Sequence, residues 1–177
     1  MEQIIDVATR FTTALEKAGI PVWVVGGLAS YLHVDQVDPA SARLTRDVDV
    51  AINRAQLDVI RAVVEPHGFL YRHAAGADMF LLEENPNARS GVHLVFVGEK
   101  VRPEYLESIP GSAPVRAKNG ILIAPVADLV HMKLTSFRLK DKVHIQDLDG
   151  VGLITPEIEA GLSEALRQRL AEVRASE

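Results

Sequence analysis

The stretch Val24-Val25-Gly26-Gly27-Leu28-Ala29-Ser30, followed further along by Thr45-Arg46-Asp47-Val48-Asp49-Val50, decides the fold. Pro21 opens the apolar run Val22-Trp23-Val24-Val25, whose β-branched residues predict a buried strand with Trp23 in the core. Gly26-Gly27 ends that strand, and Leu28 to His33 has helical composition. Two glycines at a helix start leave no Cβ between the backbone N–H groups and a phosphate, and the helix dipole adds favourable potential. The same pair also suits a plain tight turn from strand to helix. It is not a dinucleotide fingerprint, because no third glycine follows at the right spacing. Nor is it a P-loop, which requires Gly-Lys-Ser/Thr.

Arg46 to Ile52 alternates polar and apolar residues, which predicts a strand with Val48, Val50 and Ile52 on one side and Asp47, Asp49 and Ala51 on the other. The two acids then project from one face, about 6–7 Å apart along the strand. Carboxylates so placed repel each other unless cations neutralise them. Magnesium takes oxygen ligands, commonly one or two carboxylates plus substrate phosphates, and paired divalent ions can activate an attacking oxygen and stabilise a leaving one. The competing reading is a solvated polar face of a strand.

Working outward, Ile4, Ala8, Phe11 and Leu15 recur at helical spacing before Gly19. Val34 to Leu44 reads as a loop, and Asn53 with Gln56 as a capping box for a helix over Arg54 to Glu65. Strands are expected near Phe69–Arg72, Met79–Leu82 and Val92–Val97. Val101 to Pro114 reads as a loop, and Asn119-Gly120 as the turn of a hairpin. Helices follow from Pro125 to about Leu139, from Asp141 to about Leu148, and from Thr155-Pro156 to about Val173. The order predicts an α+β, α/β-like fold: a mixed β-sheet flanked by helices, with a core over residues 1–123 and a C-terminal helical part over 124–177 packed on it.

The 47% apolar and 24% charged content is that of a globular chain, which excludes a disordered or fibrous one. Cysteine is absent, so disulfides, thiolate zinc sites and thiol nucleophiles are excluded. No apolar run is long enough to span a membrane, and Met1-Glu2-Gln3 offers no basic leader, so a soluble cytoplasmic protein is the expectation. A net charge of −5 argues against a broad, sequence-independent grip on duplex nucleic acid, while leaving room for a local basic patch.

Gly26-Gly27 with Asp47-Val48-Asp49 resembles the hG[G/S]…DhD signature of the DNA-polymerase-β-type nucleotidyltransferase superfamily, with the minimal, abortive-infection (AbiEii-like) toxin-type branch the most similar. The resemblance covers Val22 to Val97. It continues into Val130-His131-Met132-Lys133-Leu134 and Arg138-Leu139-Lys140-Asp141…Asp147-Leu148, which look like the family's helical lysine and Arg/Lys-Asp…Asp-Leu segments. The resemblance implies that Gly26, Gly27 and Ser30 handle nucleotide phosphates, that Asp47 and Asp49 hold Mg2+ (or Mn2+), and that Lys133 neutralises the triphosphate. The implied reaction moves a nucleoside monophosphate from an NTP to a hydroxyl of RNA, a tRNA end or a protein, as the toxin of a toxin–antitoxin pair with a cognate antitoxin.

One departure stands out. The superfamily places a third carboxylate on a later strand, where Gly91-Val92-His93-Leu94-Val95-Phe96 puts His93. His93 suits manganese or zinc, or the role of general base. Asp78 could supply the missing acid from a neighbouring strand. His73 and His144 read as structural. Arg43, Arg46, Lys133, Arg138, Lys140 and Lys142 flank the site on this reading, to meet a triphosphate or an RNA end, or merely as solvated charges. The reading from another class is a non-catalytic nucleotidyltransferase-like scaffold serving as a regulatory partner.

Overall fold

The computed structural model describes residues 1–176. Its centre is a seven-stranded mixed sheet in the order β3-β4-β5-β2-β1-β7-β6. The strands are β1 (Trp23–Val25), β2 (Val48–Ile52), β3 (Phe69–Ala74), β4 (Ala77–Leu82), β5 (Val92–Phe96), β6 (Val115–Arg116) and β7 (Leu122–Ile123). The helices are α1 (Glu2–Lys17), α2 (Gly26–Val37), α3 (Leu57–Val64), α4 (Val126–Ser136), α5 (Leu139–Gly150), α6 (Pro156–Ala160) and α7 (Glu164–Arg174). β1 runs antiparallel to β2 with Val25 opposite Asp49, and β2 runs parallel to β5 with Asp49 beside His93.

Alternation on β2 sorts its side chains as expected. Val48, Val50 and Ile52 join the sheet core with Phe11 and Leu15 of α1 and Ile60 of α3. A second core gathers Val34 of α2, Val130 and Leu134 of α4, Ile145 and Leu148 of α5, and Leu166, Leu170 and Val173 of α7. α2 thus feeds both cores and carries the Gly26 end towards β2 and α5. No helix among the described residues is long and apolar enough to cross a membrane.

Several boundaries differ from the sequence expectations. Val34–Val37, expected in a loop, completes α2, because Val34 is buried in the helical core. The strand starts at Val48, so Asp47 stands just before it. Asn53 makes no side-chain cap; Arg54–Gln56 forms a 3-10 turn ahead of the shorter α3. α4 stops at Ser136, where Phe137 adopts a left-handed φ of 52°, and Leu139 opens α5 instead of closing α4. The final helix is two helices, because Ser163 caps a new one by accepting from the Leu166 N–H.

Candidate active site

Gly26 ends β1 with φ +66°, a left-handed conformation that glycine adopts without a Cβ penalty. A Cβ there would stand 2.2 Å from Asp49 Oδ2, so the missing side chain is what lets the carboxylate lie against the backbone. At Gly27 a Cβ would stand 2.7 Å from Thr45 Oγ1 and 3.5 Å from His144 Cε1. Gly26 is therefore required by its neighbour and its backbone conformation, whereas a side chain at Gly27 would have to displace the Thr45 hydroxyl. Gly26→Ala would combine left-handed strain with displacement of Asp49. A loss of about 1–3 kcal/mol in urea unfolding is expected, and an unchanged midpoint would show that the carboxylate moves aside freely.

Asp49 is half-buried at the cleft floor. Burial pushes its carboxyl above the usual range, the His93 and Lys133 charges pull it back, and the Asp47 charge pushes it further up. Asp47, just ahead of β2, is half-exposed and 3.8 Å from the Lys140 ammonium. His93 stands beside Asp49 in register and donates from Nε2 to the Ala88 carbonyl at 2.8 Å, which leaves only Nδ1 for other partners. No set of three or more His, Asp or Glu side chains among the described residues is placed to hold a metal ion. The donors available are the two carboxylates, and this set suits magnesium when substrate phosphate oxygens complete its coordination.

Behind Asp49 lies a buried polar network that the sequence reading placed only in part. Lys133 on α4 is 5% exposed; its Nζ donates to His144 Nδ1 at 2.8 Å and reaches Asp141 Oδ1 at 3.4 Å. Burial pushes the Lys133 ammonium below its ordinary pKa against the pull of Asp141 and Asp49. Asp141, fully buried, also accepts from Arg138 Nε at 2.7 Å, the Ser136 hydroxyl at 2.7 Å and the Arg138 N–H at 3.2 Å. Burial opposes its ionisation, but the Arg138 hydrogen bond, the Lys133 charge and the Ser136 hydroxyl outweigh that and hold its pKa below the usual value.

His144, read as structural from the sequence, is the buried partner of the Lys133 ammonium. Burial, and then the Lys133 charge, lower its pKa to about 4, so its ring is neutral and Nδ1 accepts from the ammonium. A folded pKa below the ordinary 6.5 makes stability full above pH 6.5 and lost as pH falls towards 4. The loss is on the order of 3 kcal/mol. His144→Gln keeps an acceptor without a titration, so its melting temperature should fall less than the wild type's between pH 7 and 4.5. Parallel slopes would remove His144 as the titrating group.

The other expected site residues are placed as follows. Ser30 is buried, and its hydroxyl donates to Gly26 O at 3.0 Å inside α2, away from the cleft. Asp78 pairs across the sheet with His73, while its neighbour Met79 pairs with His93. It therefore lies on the opposite face from His93, held by Tyr71 Oη at 2.5 Å and His73 Nδ1 at 2.9 Å. Burial raises its pKa, but those two hydrogen bonds lower it further. Among the flanking bases, Arg43 pairs with Asp147 and Lys142 with Glu172. A cavity of about 190 Å³ opens beside Asp49 and Lys133, walled by Arg102, Tyr105 and Glu107 of the loop after β5 and by Arg138.

No protein-family model matches the sequence, and no curated protein does. Several solved structures share its shape. The solution structure of the antibiotic-resistance factor ANT(2'')-Ia matches with a TM-score of 0.60 and 12% identity, covering 97% of this chain and 93% of that one. The crystal structure of ANT(2'')-Ia in complex with adenylyl-2''-tobramycin gives the same score and identity over 99% of each chain. An antigenic nucleotidyltransferase-like protein from Paracoccidioides brasiliensis scores 0.61 at 18% identity, covering 99% of this chain and 88% of that one. With its seven-stranded mixed sheet flanked by helices, the chain shares the nucleotidyltransferase fold of these structures.

Proposed function

We propose that this chain transfers a nucleoside monophosphate from a nucleoside triphosphate to a hydroxyl group, releasing pyrophosphate. The observation that carries the reading is the Asp49 carboxylate lying against Gly26 at the start of α2, with Asp47 beside it and the Lys133 ammonium behind. Asp47 and Asp49 would hold magnesium or manganese, which supplies Lewis-acid stabilisation of phosphate charge when bound. Gly26 and Gly27 present unpaired backbone N–H groups at the positive end of α2, where triphosphate oxygens can approach. Lys133, fixed by Asp141 and His144, adds a positive field under Asp49. The Lys140 ammonium, 3.8 Å from Asp47, adds positive charge beside the same carboxylates.

The acceptor we favour is an RNA or tRNA end or a protein hydroxyl, with the chain acting as the toxin of a toxin–antitoxin pair. The adenylylated tobramycin in the complex of ANT(2'')-Ia supports a hydroxyl as the acceptor group. A non-catalytic scaffold is the second reading, favoured by His93, which donates to Ala88 where the family pattern has an acid. Titration calorimetry of the full chain with each triphosphate, with and without magnesium or manganese, separates the two. Binding that requires the metal supports the transferase; no binding under any combination sinks it.

A further inference from the structure

Nearly every arginine side chain here is engaged with a carboxylate, a carbonyl or an aromatic ring. Among the described residues, Arg46, Arg89 and Arg167 alone are not. Two of these three meet at one cavity of about 140 Å³, between α1 and the N-terminal ends of the central strands β2 and β5. Gln3 and Ser90 also line it, and no acidic residue does. On a chain of net charge −5, two exposed guanidinium groups facing a recess without a counter-charge are an unusual concentration of positive potential. The Ser90 hydroxyl is committed to the carbonyls of Asn85 and Asn87. The Gln3 amide has no partner among the described residues and adds a neutral donor.

The position of the recess ties it to the cleft without merging the two. Arg46 immediately precedes Asp47, and Arg89 sits on the 3-10 turn Ala88–Ser90, whose Ala88 carbonyl accepts from His93. Neither arginine lines the cavity at Asp49. A guanidinium presents a planar fork that matches two oxygens of one phosphate, and two such forks suit a single tetrahedral anion better than a carboxylate. We propose that Arg46 and Arg89 form a phosphate-binding site separate from the triphosphate cleft, taking a phosphate monoester or diester. The site is independent of nucleotidyl transfer, because binding alone defines it.

The test is calorimetry of the full chain at low salt with three probes: inorganic phosphate, a 5'-phosphorylated single-stranded oligoribonucleotide, and its 5'-hydroxyl twin. The wild type is expected to bind at least one of them. Arg46→Gln/Arg89→Gln should weaken that binding about tenfold or more and flatten its salt dependence. Arg167→Gln should leave it unchanged, and magnesium-dependent ATP binding should be the same in the wild type, in Arg167→Gln and in the single variant Arg89→Gln, which should itself weaken phosphate binding. Loss for inorganic phosphate as well as for the oligonucleotides identifies a free phosphate group as sufficient. Loss for both oligonucleotides alone identifies the backbone. Should the double variant unfold, Arg46→Lys/Arg89→Lys keeps the charge and is expected to show a partial loss, since the fork is gone. The site is overturned if no probe binds the wild type, if every probe binds the arginine variants as tightly, or if Arg167→Gln loses as much.

Discussion

Asp49→Asn is expected to lower metal-dependent nucleotidyl transfer about 100-fold or more while the protein stays folded. A carboxylate that holds a divalent ion contributes several kcal/mol of charge stabilisation, and about 1.4 kcal/mol corresponds to tenfold in rate. The folded state itself gains from the change. Burial raises the Asp49 carboxyl above its ordinary 3.8, so the ionised form is disfavoured in the folded chain. A raised carboxyl pKa makes stability highest below 3.8 and lowers it as pH climbs through the folded value, so at pH 7 the whole penalty is present. The neutral amide removes it, and the melting temperature without metal should hold or rise. Asp47→Asn is expected to lose activity too, with a smaller effect on melting because Asp47 is half-exposed beside Lys140. Calorimetry of triphosphate binding and thermal melts on the same samples read both effects. Undiminished metal-dependent affinity in both variants would leave the pair without a metal role.

What was legible in the sequence follows the range of the forces involved. The glycine pair and the Asp-Val-Asp alternation are local, so periodicity alone located the strand, the turn and the face of Asp49. The partner of Gly26 was not legible, because a left-handed φ and a carboxylate against it depend on how β1 pairs with β2. Asp78 shows the same limit. Its residue type suited a missing acid, but strand register puts Met79, not Asp78, on the face of His93. His144 escaped for a different reason. It meets Lys133 only because α4 ends at Phe137 in a left-handed conformation, where neither glycine nor asparagine marks the stop. Arg169 and Lys142 packing on the Phe137 ring accompany that turn, and these are tertiary contacts.

Asp141→Ala should produce the largest loss of stability in the chain. Asp141 and Lys133 are 1% and 6% exposed at their side chains, and the carboxylate also anchors Arg138 and the Ser136 hydroxyl across the α4–α5 turn. Removing one member of a buried pair strands the other charge in a poor solvent, which costs about 3–5 kcal/mol. For a chain of this size that corresponds to a fall of about 10 °C in melting temperature. The Arg43–Asp147 pair is the control: Arg43→Gln should cost at most about 1 kcal/mol, although its distance is the shorter, because the guanidinium is 59% exposed and water screens it. Lys133→Met/Asp141→Leu replaces the pair by apolar volume and should recover part of the loss, separating the stranded charge from the lost packing. Acid behaves differently. The Asp141 pKa is held below 3.8, so its contribution persists down to that pH and fades only beneath it, whereas the His144 contribution fades between 6.5 and about 4. A wild-type melt that weakens first below pH 6.5 and again only below pH 3.8 would carry both signatures. If Asp141→Ala melts within about 2 °C of the wild type, the α4–α5 junction is held by its apolar contacts and the ion pair contributes nothing to it.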